Sequence, residues 1–190
     1  MTSQPRVNRG PAAATENRAA LIAAAREVFA EEGYTASMAR VARSAGVGQA
    51  SLYRHFPTRE AIALAVFEDD VDLLEQRAAG PGTTLDEVMV MIIEQLAESA
   101  AFMALLEPSS PEPQLARIGL RFNALLAAKL ADERLRKGFR RDVTPQDLFL
   151  AVGMVAAMIL KTAPPTRLVV AEECWRLLVR GLHDNPAPDR

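Results

Sequence analysis

The sequence predicts an all-α protein, with a small N-terminal unit of three helices followed by a larger helical body. Apolar residues recur three and four positions apart along most of the chain, the spacing that lines one face of a helix. No stretch alternates apolar and polar residues between hairpin turns, as half-buried strands do. Within residues 37–56, two short helical patterns are joined by a glycine-containing turn and preceded by a longer helix, the arrangement of a helix-turn-helix.

Length and composition set bounds on this reading. A chain of 190 residues with 49% apolar content can bury a substantial core in one domain, or in a small domain joined to a larger one. Net charge is −2, yet residues 1–60 carry eight arginines and five acids, net +3, and residues 61–190 carry 14 basic and 19 acidic side chains, net −5. That asymmetry, rather than the total, is what allows a nucleic-acid partner. Cys174 is the single cysteine, so no intramolecular disulfide is expected and the residue reads as a small hydrophobe. The N-terminal MTSQPRVNRGPAAATENR lacks the apolar stretch of about 7 to 15 residues that a secretory signal carries behind its basic residues. The longest apolar run, LFLAVGMVAAMIL, has 13 residues, short of the roughly 18 to 20 that cross a bilayer. A cytoplasmic protein without a membrane partner is expected.

Residues 1–14 carry prolines, a glycine and two arginines without periodicity and read as a flexible arm. The first helix is predicted from about Glu16 to Glu32, with Leu21, Ala25, Val28 and Phe29 on one face and Gly33 as its stop. Ser37 is placed to cap a second, short helix in which Met38, Val41 and Ala45 share a face, and Gly46 ends it. The third helix is Gln49 to Phe56. Pro57 and Thr58 start a fourth that runs to about Ala79, with an apolar seam at Leu64, Phe67, Val71, Leu74 and Ala78. The break GPGTT follows, and Thr84 with Glu87 reads as a capping box opening a fifth helix to about Glu107. EPSSPEP is a proline-rich loop; a helix from Gln114 to about Lys137, broken near Ala131, ends at Gly138. In DVTPQD, Thr144 is the cap, Pro145 the first position and Asp147 the third. A last helix spans about Arg167 to Leu182. The division is an arm at 1–14, a helix-turn-helix domain at 15–60, a connecting helix at 61–79 and a larger domain at 80–190.

The third helix has only about two turns, shorter than the roughly 12 to 15 residues that hold together alone in water, so its neighbours must support it. At about 100° per residue, Leu52 and Phe56 lie roughly 40° apart and form its buried edge. Arg54 then points away, with Ala50 and Ser51 beside it, while Tyr53 and His55 flank the apolar stripe. The second helix of a helix-turn-helix enters the DNA major groove, and a polar, basic outer edge suits that use.

The same residues resemble the N-terminal domain of the TetR family of transcriptional regulators. The resemblance rests on Ala24, Ala25 and Phe29, EEGY at 31–34, the pair Val41–Ala42, AGV at 45–47, and SLYRHF followed by TRE within 51–60. It covers roughly residues 15–68; beyond them the chain matches as an all-helical body, with DVTPQDL similar to the start of that family's penultimate helix. Gly48 stands where a capping serine is common, and Ala50 replaces a frequent glycine.

The resemblance implies a dimeric repressor that binds a palindromic double-stranded DNA operator and is released by a small molecule. Gln49 can offer its amide to an adenine edge and Arg54 can donate two hydrogen bonds to guanine. Ser51 suits a base or a phosphate. Ser37, Tyr53, His55 and Thr58 are phosphate candidates, as their counterparts are in the family, and Arg59 adds charge. Gly48 and Ala50 complete the candidate DNA surface, and Arg6 and Arg9 of the arm are further candidates.

In the larger half, the run from Leu148 to Leu160 is apolar nearly all round, so it must be covered on more than one side. Ala151, Gly153, Ala156 and Ala157 permit close approach of another helix, and the last helix supplies Val169, Cys174, Trp175, Leu178 and Leu182. The resemblance implies that these two helices pair with a second subunit, with Val152, Ala156, Ile159, Trp175, Leu178 and Leu182 as the contacts. Met89, Met91, Ile92, Phe102, Met103, Phe122, Met154 and Met158 suit either an adaptable cavity for a small apolar or amphipathic ligand or an irregular core; Arg117 and Arg121, four apart, suit an anionic ligand or a surface pair.

An enzyme is disfavoured. His55 and His183 lie in different segments, Cys174 has no paired ligand, and neither a phosphate-cradling loop nor metal-ligand spacing occurs. No cofactor or metal is expected. The remaining alternatives are a helical protein-interaction module, which would more often present an apolar outer edge than a basic one, and a regulator without any small-molecule effector.

Overall fold

The computed structural model describes residues 11–99 and 113–184. Among them the chain forms helices α1 (Pro11–Glu32), α2 (Met38–Ser44), α3 (Gln49–His55), α4 (Arg59–Ala78), α5 (Leu85–Glu98), α6 (Pro113–Ala131), α7 (Glu133–Arg136), α8 (Pro145–Leu160) and α9 (Arg167–Leu182), with a 3-10 turn at Pro164–Thr166. The fold class is therefore all-α, as expected. No described helix is long and apolar enough to cross a membrane. Arg6, Arg9, Phe102, Met103 and the EPSSPEP loop up to Glu112 lie outside the described residues.

Helix α1 begins at Pro11, five residues ahead of the expected start, so residues 11–14 belong to a helix and not to the arm. The reason is local: proline is favoured at the first helical position, and the alanines behind it are the best helix formers. The expected break near Ala131 falls at Asp132, whose side chain accepts from Arg134 N–H and caps the short α7.

The chain divides into two units within α4, residues 1–67 and 68–190. In the first, α1 contributes Leu21, Ala25, Val28 and Phe29, α2 contributes Met38, Val41 and Ala42, and Leu52, Phe56, Ile62 and Val66 complete the core. In the second, the core joins Leu74 and Ala78 of α4 to Val88, Met89, Ile92 and Ile93 of α5, Leu126 of α6, Leu148, Val155 and Ile159 of α8, and Ala171 and Trp175 of α9. Cys174 is half-buried against this cluster.

Two polar ties join α6 to α4 inside the second unit. The Arg121 guanidinium donates to Glu75 at 3.0 and 2.6 Å and to Asp72 at 2.5 Å, a charge-assisted fork. Two turns on, the buried Lys129 ammonium donates to Ala78 O at 2.6 Å and Thr83 O at 2.8 Å. It thereby serves the Ala78 carbonyl at the C-terminal end of α4, which the helix itself cannot satisfy, and ties it to the loop that follows.

The expected capping box at Thr84 forms, and Thr144, expected only as a cap, forms a second with Asp147. Thr84 N–H donates to the Glu87 carboxylate at 2.7 Å while Glu87 N–H donates to Thr84 Oγ1 at 3.3 Å. Thr144 N–H donates to Asp147 at 2.9 Å while Asp147 N–H donates to Thr144 Oγ1 at 3.2 Å. The Thr84 backbone hydrogen bond, with that from its hydroxyl, holds Glu87 below its ordinary 4.5, and the Thr144 hydroxyl and backbone hold Asp147 below 3.8. A carboxylate whose folded pKa is depressed contributes stability above its unfolded pKa and loses it as pH falls through the folded one. The melting temperature should therefore fall as pH drops below about 5, and a Glu87→Gln, Asp147→Asn double variant should show a shallower fall. Equal slopes for variant and wild type would contradict this.

Candidate nucleic-acid interface

The first unit is built to hold α3 by one edge. Leu52 is fully buried and Phe56, its C-cap, is 3% exposed. The turn before it needs glycine: Gly46 has φ +65°, a backbone conformation that costs other residues about 1 to 2 kcal/mol. Gly46 N–H donates to Arg43 O at 3.1 Å and Val47 N–H to Ala42 O at 3.0 Å, which closes α2 before α3 begins. Gly48 is the N-cap of α3 and supplies no side-chain hydrogen bond.

The opposite edge is open. Gln49, Ala50, Tyr53 and Arg54 are exposed, and Ser51 and His55 are half-buried. Arg54 folds back, Nε donating to Ala50 O at 3.3 Å, a long bond that an incoming acceptor can replace. Tyr53 is 51% exposed, so it is not a core aromatic. Ser37 and Thr58 are exposed and sit at the starts of α2 and α4, where their hydroxyls accept from Arg40 N–H at 3.2 Å and Ala61 N–H at 3.1 Å. A hydroxyl that accepts one bond still has its O–H to donate, so Ser37 remains competent for a phosphate oxygen, whereas the Thr58 O–H already serves the Glu60 carboxylate.

Arg59 differs from the other candidates. It is half-buried, with its guanidinium 5.3 Å from the Tyr34 ring centre, within cation–π range. Tyr34 donates its hydroxyl proton to Glu60 at 2.9 Å; burial, reinforced by Glu60, raises the pKa of Tyr34. Glu60 is held low, first by its own backbone N–H and then by Thr58 and Tyr34. Arg59 is thus committed in part to fastening the start of α4 to the turn after α1. Arg40 is committed likewise, with Nε donating to Glu32 at 2.9 Å. Arg18 was not singled out from sequence; its guanidinium lies 5.3 Å from the Phe56 ring centre. The available signal was its position four residues before Ile22 and three before Leu21, in line with the buried stripe of α1.

In the second unit the residues expected at the dimer and ligand sites are divided between core and surface. Ala156, Ile159 and Trp175, expected on the subunit surface, are 5%, 1% and 7% exposed and belong to the unit's own core. Val152, Leu178 and Leu182 pack partly buried against that core. The outward face of α8 is instead Phe149, Leu150, Met154 and Met158, at 52%, 65%, 50% and 49% exposure, with Val169 and Leu177 of α9 at 60% and 64%. A helix apolar all round does not reveal from sequence which face turns inward. Met154 and Met158 are thus half exposed, and Met89 is a fully buried core residue. Arg121 is engaged by Asp72 and Glu75, and Phe122 packs half-buried against the core.

A supported two-turn helix with a basic outer edge, set ahead of a larger helical unit, defines the class of helix-turn-helix DNA-binding regulators. The family described as bacterial regulatory proteins, tetR family, matches residues 21–66. A TetR transcriptional regulator from Streptomyces coelicolor is similar at 28% identity and TM-score 0.60, over 89% of this chain and 99% of that one. A TetR-family transcriptional regulator from Pectobacterium atrosepticum is similar at 26% identity and TM-score 0.63, over 94% and 100%. The transcriptional regulator FadR from Bacillus subtilis, solved with stearoyl-CoA, shares the fold at 20% identity and TM-score 0.50, over 87% and 99%. No curated protein matches the sequence. Residues 21–66 thus match the DNA-binding domain of the tetR family, and the whole chain is similar in fold to regulators of that family.

Proposed function

We propose that this protein is a dimeric repressor whose α3 enters the major groove at each half of a palindromic operator, and which a small apolar or amphipathic molecule releases. The observation that carries the DNA reading is the division of α3 into a buried edge, Leu52 and Phe56, and an exposed one, Gln49, Ala50, Tyr53 and Arg54. Gln49 and Arg54 are the base readers; Ser37, Tyr53 and His55 hold phosphates, with Ser51 serving either and Gly48 and Ala50 admitting close approach. Arg59 adds charge from its seat on Tyr34.

The exposed apolar residues of α8 and α9 support a two-fold dimer, because contiguous apolar surface of this kind marks an interface and a two-fold protein matches a palindromic site. The effector reading draws on the Bacillus FadR, whose structure holds stearoyl-CoA. Phe122 remains a ligand candidate. A ligand that draws Arg121 from Asp72 and Glu75 changes the hold of α6 on α4, the helix continuous with the first unit, and so shifts the population away from the DNA-binding form.

The test is selection of duplexes from a random pool by the purified protein, then footprinting of the selected site with and without a small-molecule panel. Arg54→Ala should cost about 1 to 3 kcal/mol on the selected site and relax preference at one base pair of each half. Unchanged discrimination in that variant would remove Arg54 as a reader, and a pool without enrichment would overturn the proposal.

A further inference from the structure

Arg18 occupies a place on α1 that the helix period reserves for the core. It precedes Leu21 and Ile22, 0% and 6% exposed, by three and four residues, so it continues their stripe by one turn toward the N-terminus. A charged side chain there is costly unless its stem covers apolar surface and its head reaches water. Both conditions are met: the residue is exposed, and its guanidinium lies over the ring of Phe56, 5.3 Å from the centre.

Phe56 is the C-cap of α3. His55 lies against the same ring, with centres 6.3 Å apart, and Thr58 is two residues on. Arg18 therefore brings a positive charge from a different helix to the end of the recognition segment. Among the described residues no carboxylate pairs with it, in contrast to Arg40, which Glu31 and Glu32 hold. A guanidinium stacked on an aromatic face keeps its N–H donors free at its rim, and those donors suit the paired oxygens of a phosphate.

We propose that Arg18 is a DNA-contacting residue that binds a backbone phosphate beside the C-terminal end of α3, with Phe56 holding its guanidinium in place. The inference rests on the reading of α3 as the recognition helix and adds a contact from α1 to it. A phosphate contact fixes register without reading sequence, so Arg18 contributes affinity and leaves base preference alone.

The experiment uses the full-length protein and a duplex that the wild type has selected from a random pool. Arg18→Met keeps an apolar stem on Phe56 and removes the charge; Arg18→Lys restores the charge. Binding is measured against salt concentration, on the selected duplex and on single-base variants, with melting temperatures alongside. The expected result for Arg18→Met is weaker binding to every duplex alike, with the slope of log affinity against log salt reduced by about 0.9 per protomer. Arg18→Lys should recover the slope. A wild-type slope in Arg18→Met would overturn the proposal, whether or not its melting temperature fell, because loss of a packing contact releases no counterions. If the wild type selects no duplex, the reading of α3 fails first and this assignment falls with it.

Discussion

Replacing Leu150 and Met154 together by arginine is expected to turn the protein into a monomer without unfolding it, and to weaken operator binding by roughly 10²- to 10⁴-fold. Both side chains are half or more exposed on the outer face of α8, so the substitutions leave the core residues Leu148, Ala151 and Val155 undisturbed. A two-fold interface uses the same patch on both subunits, so four new arginines are brought into it, and like charges forced together without solvent cost several kcal/mol. The loss of affinity follows because two linked heads bind a palindrome with the second contact made at high effective concentration. Analytical ultracentrifugation gives the mass, and fluorescence anisotropy gives the affinity. A double variant that remains dimeric with unchanged operator affinity would place the interface elsewhere.

Leu52→Ala is expected to destabilise the first unit by about 2 to 5 kcal/mol, the usual range for a fully buried leucine that leaves a cavity. The range matters because this unit is small, and units of this size have little stability to spare. Leu52 is 0% exposed and is the central buried residue of a seven-residue helix, so no neighbour on α3 can replace its hold. Denaturant melts followed by circular dichroism, with DNA affinity in parallel, should show an early transition and loss of binding. Arg54→Ala, on the exposed edge of the same helix, should melt as the wild type does while losing discrimination. If Leu52→Ala melted with the wild type, the division of α3 into an anchoring and a presenting edge would be wrong.

Features encoded by neighbours in the chain were legible in the sequence. Thr84 with Glu87 and Thr144 with Asp147 are three residues apart and close the hydrogen bonds their spacing predicts. Leu52 and Phe56 are one turn apart on a helix too short to bury anything else, which fixed the orientation of α3. The start of α1 was equally local, at Pro11, yet it was concealed among alanines that carry no periodic signal. What escaped depends on distance along the chain. Arg121 meets Asp72 and Glu75 across 49 and 46 positions, and Lys129 reaches the carbonyl of Ala78 across 51. The inward face of α8 was chosen by its neighbours in the second unit, so Ile159 and Met158, adjacent and similarly apolar, ended at 1% and 49% exposure. Arg18 was hidden for the opposite reason, since a lone arginine on a helix is ordinary until the aromatic ring beneath it is known.

The most direct test of the central claim, that the outer edge of α3 reads a major groove, is methylation interference on a duplex selected by the purified protein. Methylation at guanine N7 blocks the acceptor to which Arg54 is assigned. Methylated guanines in two clusters, related by the two-fold axis of the site, should abolish binding by the wild type, and Arg54→Ala should lose sensitivity at one guanine in each cluster. Binding that tolerates methylation at every guanine N7, with an Arg54→Ala pattern identical to the wild type, would contradict it.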